Sequence, residues 1–371
     1  MGTPWSDEMI LTVDSRQPSP DAHAVGLYDG GGAEWDAFVR SCAEPVPYTH
    51  CHLYGWRRVM QVAMGHDAPY LVARNPLSGT ISGVLPLVRI RSRLFGHFLV
   101  SMPFLNYGGP LGDSGAIRQL AAHAAEMARA EGATLVELRS RAAIPLGDPF
   151  QVSHRKITVV MDSRGGSDCV WKRLPSKVRS QVRRPIKEGV SVAIGMDQLG
   201  PFYKVFARHM RDLGTPVMSR RFFEMAAREF ADDAVFAVAY LKGVPIACGG
   251  GFLCGTGNGR EFEIVWASAL REYNRIAPNM LIYWELMRHV ADCGAQKFNF
   301  GRCTPGGNTH RFKTQWGTTD EPLHWYDYSP SGAHPIEADS TAARGATMLW
   351  TRMPLVFANA IGPQIVRLIP L

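Results

Sequence analysis

Few of the patterns that announce a chemistry are present in this chain of 371 residues. Its seven cysteines (Cys42, Cys51, Cys169, Cys248, Cys254, Cys293 and Cys303) are scattered, with no C-x-x-C pair and no Cys/His ligand spacing. That speaks against a structural zinc site and for reduced thiols in a cytoplasmic setting. There is no phosphate-binding G-x-x-x-x-G-K-[ST] loop, no H-E-x-x-H helix and no G-x-S-x-G elbow. The glycine-rich run "GGGFLCGTGNGREFEIVW" is followed by a strand pattern where a dinucleotide fingerprint needs a helix, and it reads as a hairpin turn. "THCHLYGW" (49–56) has no second ligand cluster to go with it, so His50 and His52 read as residues that open a helix. Neither a metal nor a tightly bound cofactor is expected.

A long apolar run is also missing. Met353 to Val366, "MPLVFANAIGPQIV", carries no charge but falls short of the ~20 residues that span a bilayer. Pro354, Gly362 and Pro363 are expected to break it further, and it either docks on the protein or lies on a membrane surface. The first 23 residues are acidic and contain three prolines, without the basic-then-apolar order of a secretory signal, and read as a poorly ordered tail.

What is present is a concentrated positive charge. The net charge is +7, and the segment "WKRLPSKVRSQVRRPIKEGV" (171–190) accounts for nearly all of it, with seven Lys/Arg against Glu188. Ser176 is expected to cap a helix that Pro185 kinks or ends, with Arg179, Arg183 and Lys187 on one face. Such a face is either solvated or, as one-sided charge favours, a site for phosphates of RNA, a nucleotide or a diphospho-lipid.

The chain also repeats itself. "YLVARNPLSGTISGVLPLVRI" from Tyr70 and "FAVAYLKGVPIACGGGFL" from Phe236 both read as strand, polar turn, strand. "AIRQLAAHAAEMARAEGATLVELRS" and "NMLIYWELMRHVADCGAQKFNFGR" both read as a helix, a Gly-Ala stop (132–133 and 294–295) and a strand ending in Arg139 or Arg302. The two landmarks recur at nearly one offset, which points to two copies of one α/β unit. A hairpin followed by helix and strand predicts a mixed, largely antiparallel sheet flanked by helices in each copy. The expected organisation is a tail (1–23), a first domain (24–165), a second domain (166–330) and a C-terminal tail (331–371). This architecture fits the acyltransferase fold called GNAT.

In "NFGRCTPGGNTHRFKTQWG" (299–317), Lys313 lies between Phe312 and Trp316. It either snorkels to water or forms a pocket wall that stabilises charge developing on a substrate. Tyr107, in "PFLNYGGPLGD", precedes two glycines at a turn, read either as a packed ring or as backbone closely approaching a substrate.

Three blocks together resemble the FemAB (FemXAB) family: "GVLPLVRIRSRLFGHFLVSMPFLNYGGPLG", "LPSKVRSQVRRPIKEGV" and "REYNRIAPNMLIYWELMRHVADCGAQKFNFGRCTPGGNTHRFKTQWG". The likeness runs from about Trp35 to about Tyr328 and is greatest to the branch found with exosortase and exopolysaccharide systems. It implies two tandem GNAT-like domains and transfer of an aminoacyl group from aminoacyl-tRNA to an amine on an envelope precursor. The family's Phe-Lys pair, which lines the acceptor tunnel with the lysine stabilising the oxyanion, corresponds to Phe312 and Lys313; Phe312 and Trp316 are then expected to shape the tunnel and hold the lysine. Lys177, Arg179 and Arg183 become candidates for donor or acceptor phosphates, and Tyr107, Asn279 and Arg302 for the cleft. Asn299 stands where related acyltransferases often have Asp, and the helical arm of some members is absent. No R-x-x-G-x-G/A loop opens a helix, which weighs against the alternative donor, acyl-CoA acting on an exopolysaccharide. The third reading is a non-catalytic protein that grips an anionic glycan or RNA. The implied location is cytoplasmic, with peripheral contact to the inner membrane through the C-terminal segment.

Overall fold

The computed structural model describes residues 23–42, 47–93, 95–332 and 341–369; the expected N-terminal tail lies almost wholly outside them. The first half runs β1 (Ala24–Leu27), α1 (Gly32–Ser41), α2 (Gly55–Val59), β2 (Leu71–Arg74), β3 (Ile81–Leu85), β4 (Leu87–Ser92), β5 (Gly96–Ser101), β6 (Leu111–Gly112), α3 (Ser114–Glu131), β7 (Leu135–Ser140) and β8 (Gln151–Ser153). The second continues with β9 (Ile157–Asp162), α4 (Gly166–Arg173), α5 (Ser176–Lys187), β10 (Val190–Ile194), α6 (Leu199–Asp212), α7 (Arg220–Glu229), β11 (Ala234–Leu241), β12 (Val244–Cys254) and β13 (Glu261–Ala269). After these come α8 (Pro278–Asp292), β14 (Lys297–Cys303), α9 (Asn308–Thr314), β15 (Thr319–Pro322), β16 (His324–Tyr328), α10 (Thr341–Thr351) and α11 (Leu355–Val366).

Local chemistry explains the repeated helix-then-strand unit. In α3, Ile117, Leu120, Ala121, Ala124, Ala125 and Ala128 are buried at helical spacing. Asp113 accepts the amide of Ala116 at its start, and Gly132 (φ 64°) closes it in the left-handed conformation. Its counterpart α8 starts at Pro278, whose fixed φ suits a first helical position, and Gly294 (φ 89°) follows its end.

The sheets repeat in the same way. One has the order β10-β11-β12-β13-β14-β9-β15. In the first half, Pro86 separates β3 from β4, giving a β1-β2-β3-β6 sheet and a β4-β5-β7-β16-β8 sheet. The paired strands are antiparallel except for β5 with β7 and β13 with β14. The second half is thus a mixed, largely antiparallel sheet flanked by helices, as the repeats predict, while the first half divides its strands between an antiparallel sheet and a mixed one.

The sheets do not divide at residue 165. β9 lies between β14 and β15 of the second half, and β16 lies between β7 and β8 of the first. Short connections make this reciprocal exchange: residues 154–156 lead from β8 to β9, and the buried Leu323 from β15 to β16. Neither half completes its sheet alone.

Three local expectations are corrected. Gly249, Gly250 and Gly251 belong to β12, not to a turn, which falls at Gly255–Gly259. A Cβ at Gly249 would meet Leu286 and Ile282, one at Gly250 would meet Phe236, and one at Gly251 would strike the carbonyl of Glu263. Ser176 is the first residue of α5 rather than its cap, and the helix runs through Pro185 to Lys187, because a proline in the last turn removes only one late hydrogen bond. In α11 the helix likewise continues through Gly362 and Pro363, with Gly362 packed close to Val217 and Trp350. Ala358, Gly362 and Val366 are buried on a face that packs against α6, while Val356, Phe357 and Ile361 point outward.

Candidate active site

The parallel strands β13 and β14 stay together for only three residue pairs, Glu261–Glu263 against Lys297–Asn299, and then part. The site forms at that divergence. Just beyond it β14 is irregular between Asn299 and Arg302, and Gly301 takes φ 72°. A side chain there would be strained and would crowd the Ile264 carbonyl and Asn106.

Lys313, in α9, reaches back to this bulge. Its Nζ donates to the carbonyls of Gly301 (2.6 Å) and Arg302 (3.0 Å), and the residue is 3% exposed. The snorkelling expected of a surface lysine is therefore absent. Burial lowers its pKa to about 8; Cys303 and Glu263 counter part of that effect. α9 is held from behind: Phe312 packs edge-on to Tyr283 (5.0 Å), and Trp316 sits against Phe300 (5.9 Å) and Tyr283 (6.2 Å). Trp316 is fully buried in the second-half core, so it anchors α9 instead of lining a tunnel.

Under the bulge lies a polar network that joins the halves. The Asn299 Oδ1 accepts from the Thr158 hydroxyl (2.7 Å) and the Gly301 amide (2.8 Å). Its Nδ2 donates to Tyr107 Oη (3.1 Å) and Glu261 (2.8 Å). All four bonding directions of this buried amide are filled, so Asn299 is a structural hub. Tyr107 is buried with its hydroxyl on Thr158 (2.6 Å), the packed-ring arrangement. Arg141 binds Glu261 (2.7 Å) and Glu321 (2.8 Å) beside it.

A second buried group bridges the halves. His50 Nε2 lies 3.0 Å from Glu263, whose other oxygen accepts from Asn106. Burial opposes protonation of His50, but Cys51 and Glu263 outweigh it and raise the pKa to about 10. Ligand atoms of His50, Cys51 and Glu263 lie within 4.8 Å of one another, so the second half supplies a third partner for the His-Cys pair. His52 instead stays neutral, pushed down to about 4 by burial, and its ring bridges the Thr49 amide (3.0 Å) and the Gly109 carbonyl (3.1 Å).

The structure brings Lys313, Arg302, Tyr107 and Phe312 around one bulge, with Asn279 in the first turn of α8 next to Met280, which touches Gln315. The α5 cations are elsewhere. Arg179 donates to the carbonyls of Lys172 (3.2 Å) and Leu174 (2.7 Å) at the end of α4, and Arg183 covers Trp171 (5.2 Å). Lys177, Arg183, Arg184 and Lys187 remain exposed. Sequence reading missed Glu261, Glu263, Asn106 and Thr158. The two glutamates had a signal in "EFEIVW", where acids two apart in an apolar strand must share a face.

A sequence model described as an acetyltransferase (GNAT) domain matches residues 176–314. A solved structure of FemX is similar over 81% of this chain and 96% of that one, with a TM-score of 0.62 at 15% identity. A tandem GNAT protein from the clavulanic acid biosynthesis pathway covers 84% of this chain and 100% of its own (TM-score 0.55, 14% identity). The fold is a tandem GNAT fold. The C-terminal domain of a putative lysylphosphatidylglycerol synthetase from Agrobacterium fabrum also aligns, over 89% of this chain and 95% of that one (TM-score 0.51, 13% identity). No curated protein matches the sequence. The domain match and the shared architecture together support an acyltransferase of the GNAT fold.

Proposed function

We propose that this GNAT-fold protein transfers an aminoacyl group from aminoacyl-tRNA to an amine on a cell-envelope or polysaccharide precursor. The observation that supports this reading is the buried ammonium of Lys313 at the divergence of β13 and β14, tied to two backbone carbonyls. The amine nitrogen bonds to the ester carbonyl carbon, the C–O bond to the ribose breaks, and the amine's proton leaves with the ribose oxygen. No side-chain nucleophile is needed. What the step requires is positive charge where the carbonyl oxygen becomes anionic, and a fixed ammonium in a water-poor site supplies it. Phe312 sets the lysine's position by anchoring α9 on Tyr283. The exposed cations of α5, Lys177 and Arg183 among them, receive phosphates of the tRNA, with Arg179 fixing the α4–α5 corner.

A second donor, acyl-CoA, is favoured by the acetyltransferase model that matches residues 176–314. The two are separated by mass analysis of ligand captured in the site: aminoacyl-adenosine supports the first and coenzyme A the second. In the same preparation, charge reversal of Lys177 and Arg183 lowers tRNA affinity and flattens its salt dependence, as fewer counterions are released. Unchanged affinity and slope would remove α5 from the reading. The acceptor's setting places the protein at the inner membrane surface, with the outward face of the C-terminal helices as the contact.

A further inference from the structure

A cavity of about 330 Å³ opens beside the candidate active site, lined by Lys156, Arg302, Cys303, Thr304 and the start of α9 at Gly307–Thr309. Two cations and no carboxylate line it. Arg302 is the unusual member. The other partly buried arginines here bind oxygens: Arg74 a carboxylate of Glu34, Arg89 that of Glu131, Arg141 those of Glu261 and Glu321, and Arg57 and Arg260 backbone carbonyls. Among the described residues, Arg302 has no hydrogen-bonding or ion-pair partner for its guanidinium, which lies over Trp325 at 5.1 Å. Arg139 and Arg155 also stack on Trp325, each at 4.7 Å, and Glu137 pairs with those two. Lys156, which also lines the cavity, donates among the described residues only to the Thr304 hydroxyl (2.7 Å).

An arginine withdrawn from water beside like charges is costly unless an anion completes it. Burial and the neighbouring Arg139 pull its pKa down to about 10, in keeping with that missing partner. We propose that this cavity is a preformed oxyanion site, in which the planar fork of Arg302 and the ammonium of Lys156 hold a phosphate or carboxylate group of a substrate. The Thr304 hydroxyl, already bonded to Lys156, stands ready as a further partner. Arg302 also ties the site to the chemistry, since its own carbonyl accepts from Lys313. An anion seated here would anchor a substrate beside the strand segment whose carbonyls hold the Lys313 ammonium. Assigning the anion to a substrate rests on the acyl-transfer reading; the existence of the site does not.

The test is calorimetric titration of the full chain with inorganic pyrophosphate, inorganic phosphate and acetate in turn. One saturable site is expected, and the tightest of the three probes tells a phosphate-bearing from a carboxylate-bearing substrate. Arg302→Gln should weaken binding about tenfold or more, the loss typical of a charge-assisted pair, and Lys156→Gln should weaken it less. Arg228→Glu, at an exposed position of α7, should leave it unchanged. Thermal unfolding without anion gives a second readout, in which Arg302→Gln keeps or raises Tm because an unpaired cation has been removed. The proposal is overturned if the wild type binds none of the probes at tens of millimolar, or if Arg302→Gln binds as well as wild type. Loss of binding in Arg228→Glu alone, or a marked fall in Tm for Arg302→Gln, overturns it too. Binding is read without turnover, so a protein that fails every donor screen can still pass this test.

Discussion

The ammonium of Lys313 and the carbonyl of Gly301 meet at 2.6 Å where two parallel strands part. Each residue is needed for the other's placement. Gly301 holds φ 72° with no side chain to push away Ile264 and Asn106, and the bulge it makes turns two carbonyls toward Lys313. This arrangement supplies fixed dipoles that keep the charge in place, the preorganisation that the proposed oxyanion role requires.

Lys313→Met keeps the stem's bulk and removes the charge. With the true substrates, kcat should fall ~10²–10³-fold with donor affinity changed far less. Lys313→Arg should not restore it, because a planar fork cannot put the charge at the same point. Steady-state kinetics on variants shown to be folded by thermal unfolding make the comparison, and wild-type rates in a folded Lys313→Met protein would end the catalytic assignment.

The depressed pKa of Lys313 gives two pH signatures. Oxyanion stabilisation needs the ammonium, so kcat should decline as pH rises through about 8, and this decline should be absent from the residual rate of Lys313→Met. Stability should move the other way. Between pH 8 and 10.5 the folded state holds fewer protons at this site than the unfolded chain, so ΔG of unfolding gains from this residue as pH rises. Denaturant titrations of wild type and Lys313→Met across that window read the difference, and parallel curves would contradict the shift.

Much of this was legible in the sequence, and the gaps have physical causes. The duplicated hairpin and helix-strand units carry their own stop signals, such as Gly132 and Gly294, and so pointed to a mixed sheet in each half, but not to the division of the first half into two sheets at Pro86. The exchange of β9 and β16 left no local trace, because a short strand pairs with whichever edge the chain reaches. Trp316 read as tunnel lining, but its i to i+4 spacing from Phe312 fits equally a helix face packed inward. Arg179 read as a phosphate ligand, whereas its nearest acceptors are the open carbonyls at the end of α4, only a few residues away. Glu263 and His50 lie too far apart in sequence for any spacing rule to join them.

That long-range pair carries its own expectation. His50 and Glu263 are 2% and 3% exposed, so deleting one partner strands a charge between the halves. Glu263→Ala should cost about 3–5 kcal/mol in unfolding free energy. The folded pKa of His50 is raised from 6.5 to about 10, so its contribution is fully present below pH 6.5 and is lost as pH climbs toward 10. The stability gap between wild type and His50→Gln should therefore narrow over that range. A gap independent of pH would mean that His50 is neutral in the fold.

The C-terminal helices present exposed apolar side chains. α11 turns Val356 (79% exposed), Phe357 (60%) and Ile361 (43%) outward, and Met348 and Leu349 at the end of α10 are exposed as well. Residues 341–369 contain Arg344, Arg352 and Arg367 and no acidic residue. No helix among the described residues is long and apolar enough to cross a membrane. Outward apolar side chains in a stretch whose sequence has arginines and no acids form the pattern by which helices bind the interface of an anionic membrane, where both buried area and charge add to binding. The full chain should sediment with vesicles containing phosphatidylglycerol, and less with purely zwitterionic ones. Replacing Val356 and Phe357 by serine should reduce that binding without lowering Tm, because both side chains face away from α6. Added salt should weaken binding only in part, since the apolar contribution is not screened. Equal sedimentation of the double variant, or none by the wild type, would remove the membrane from the account and leave these helices as packing for α6 alone.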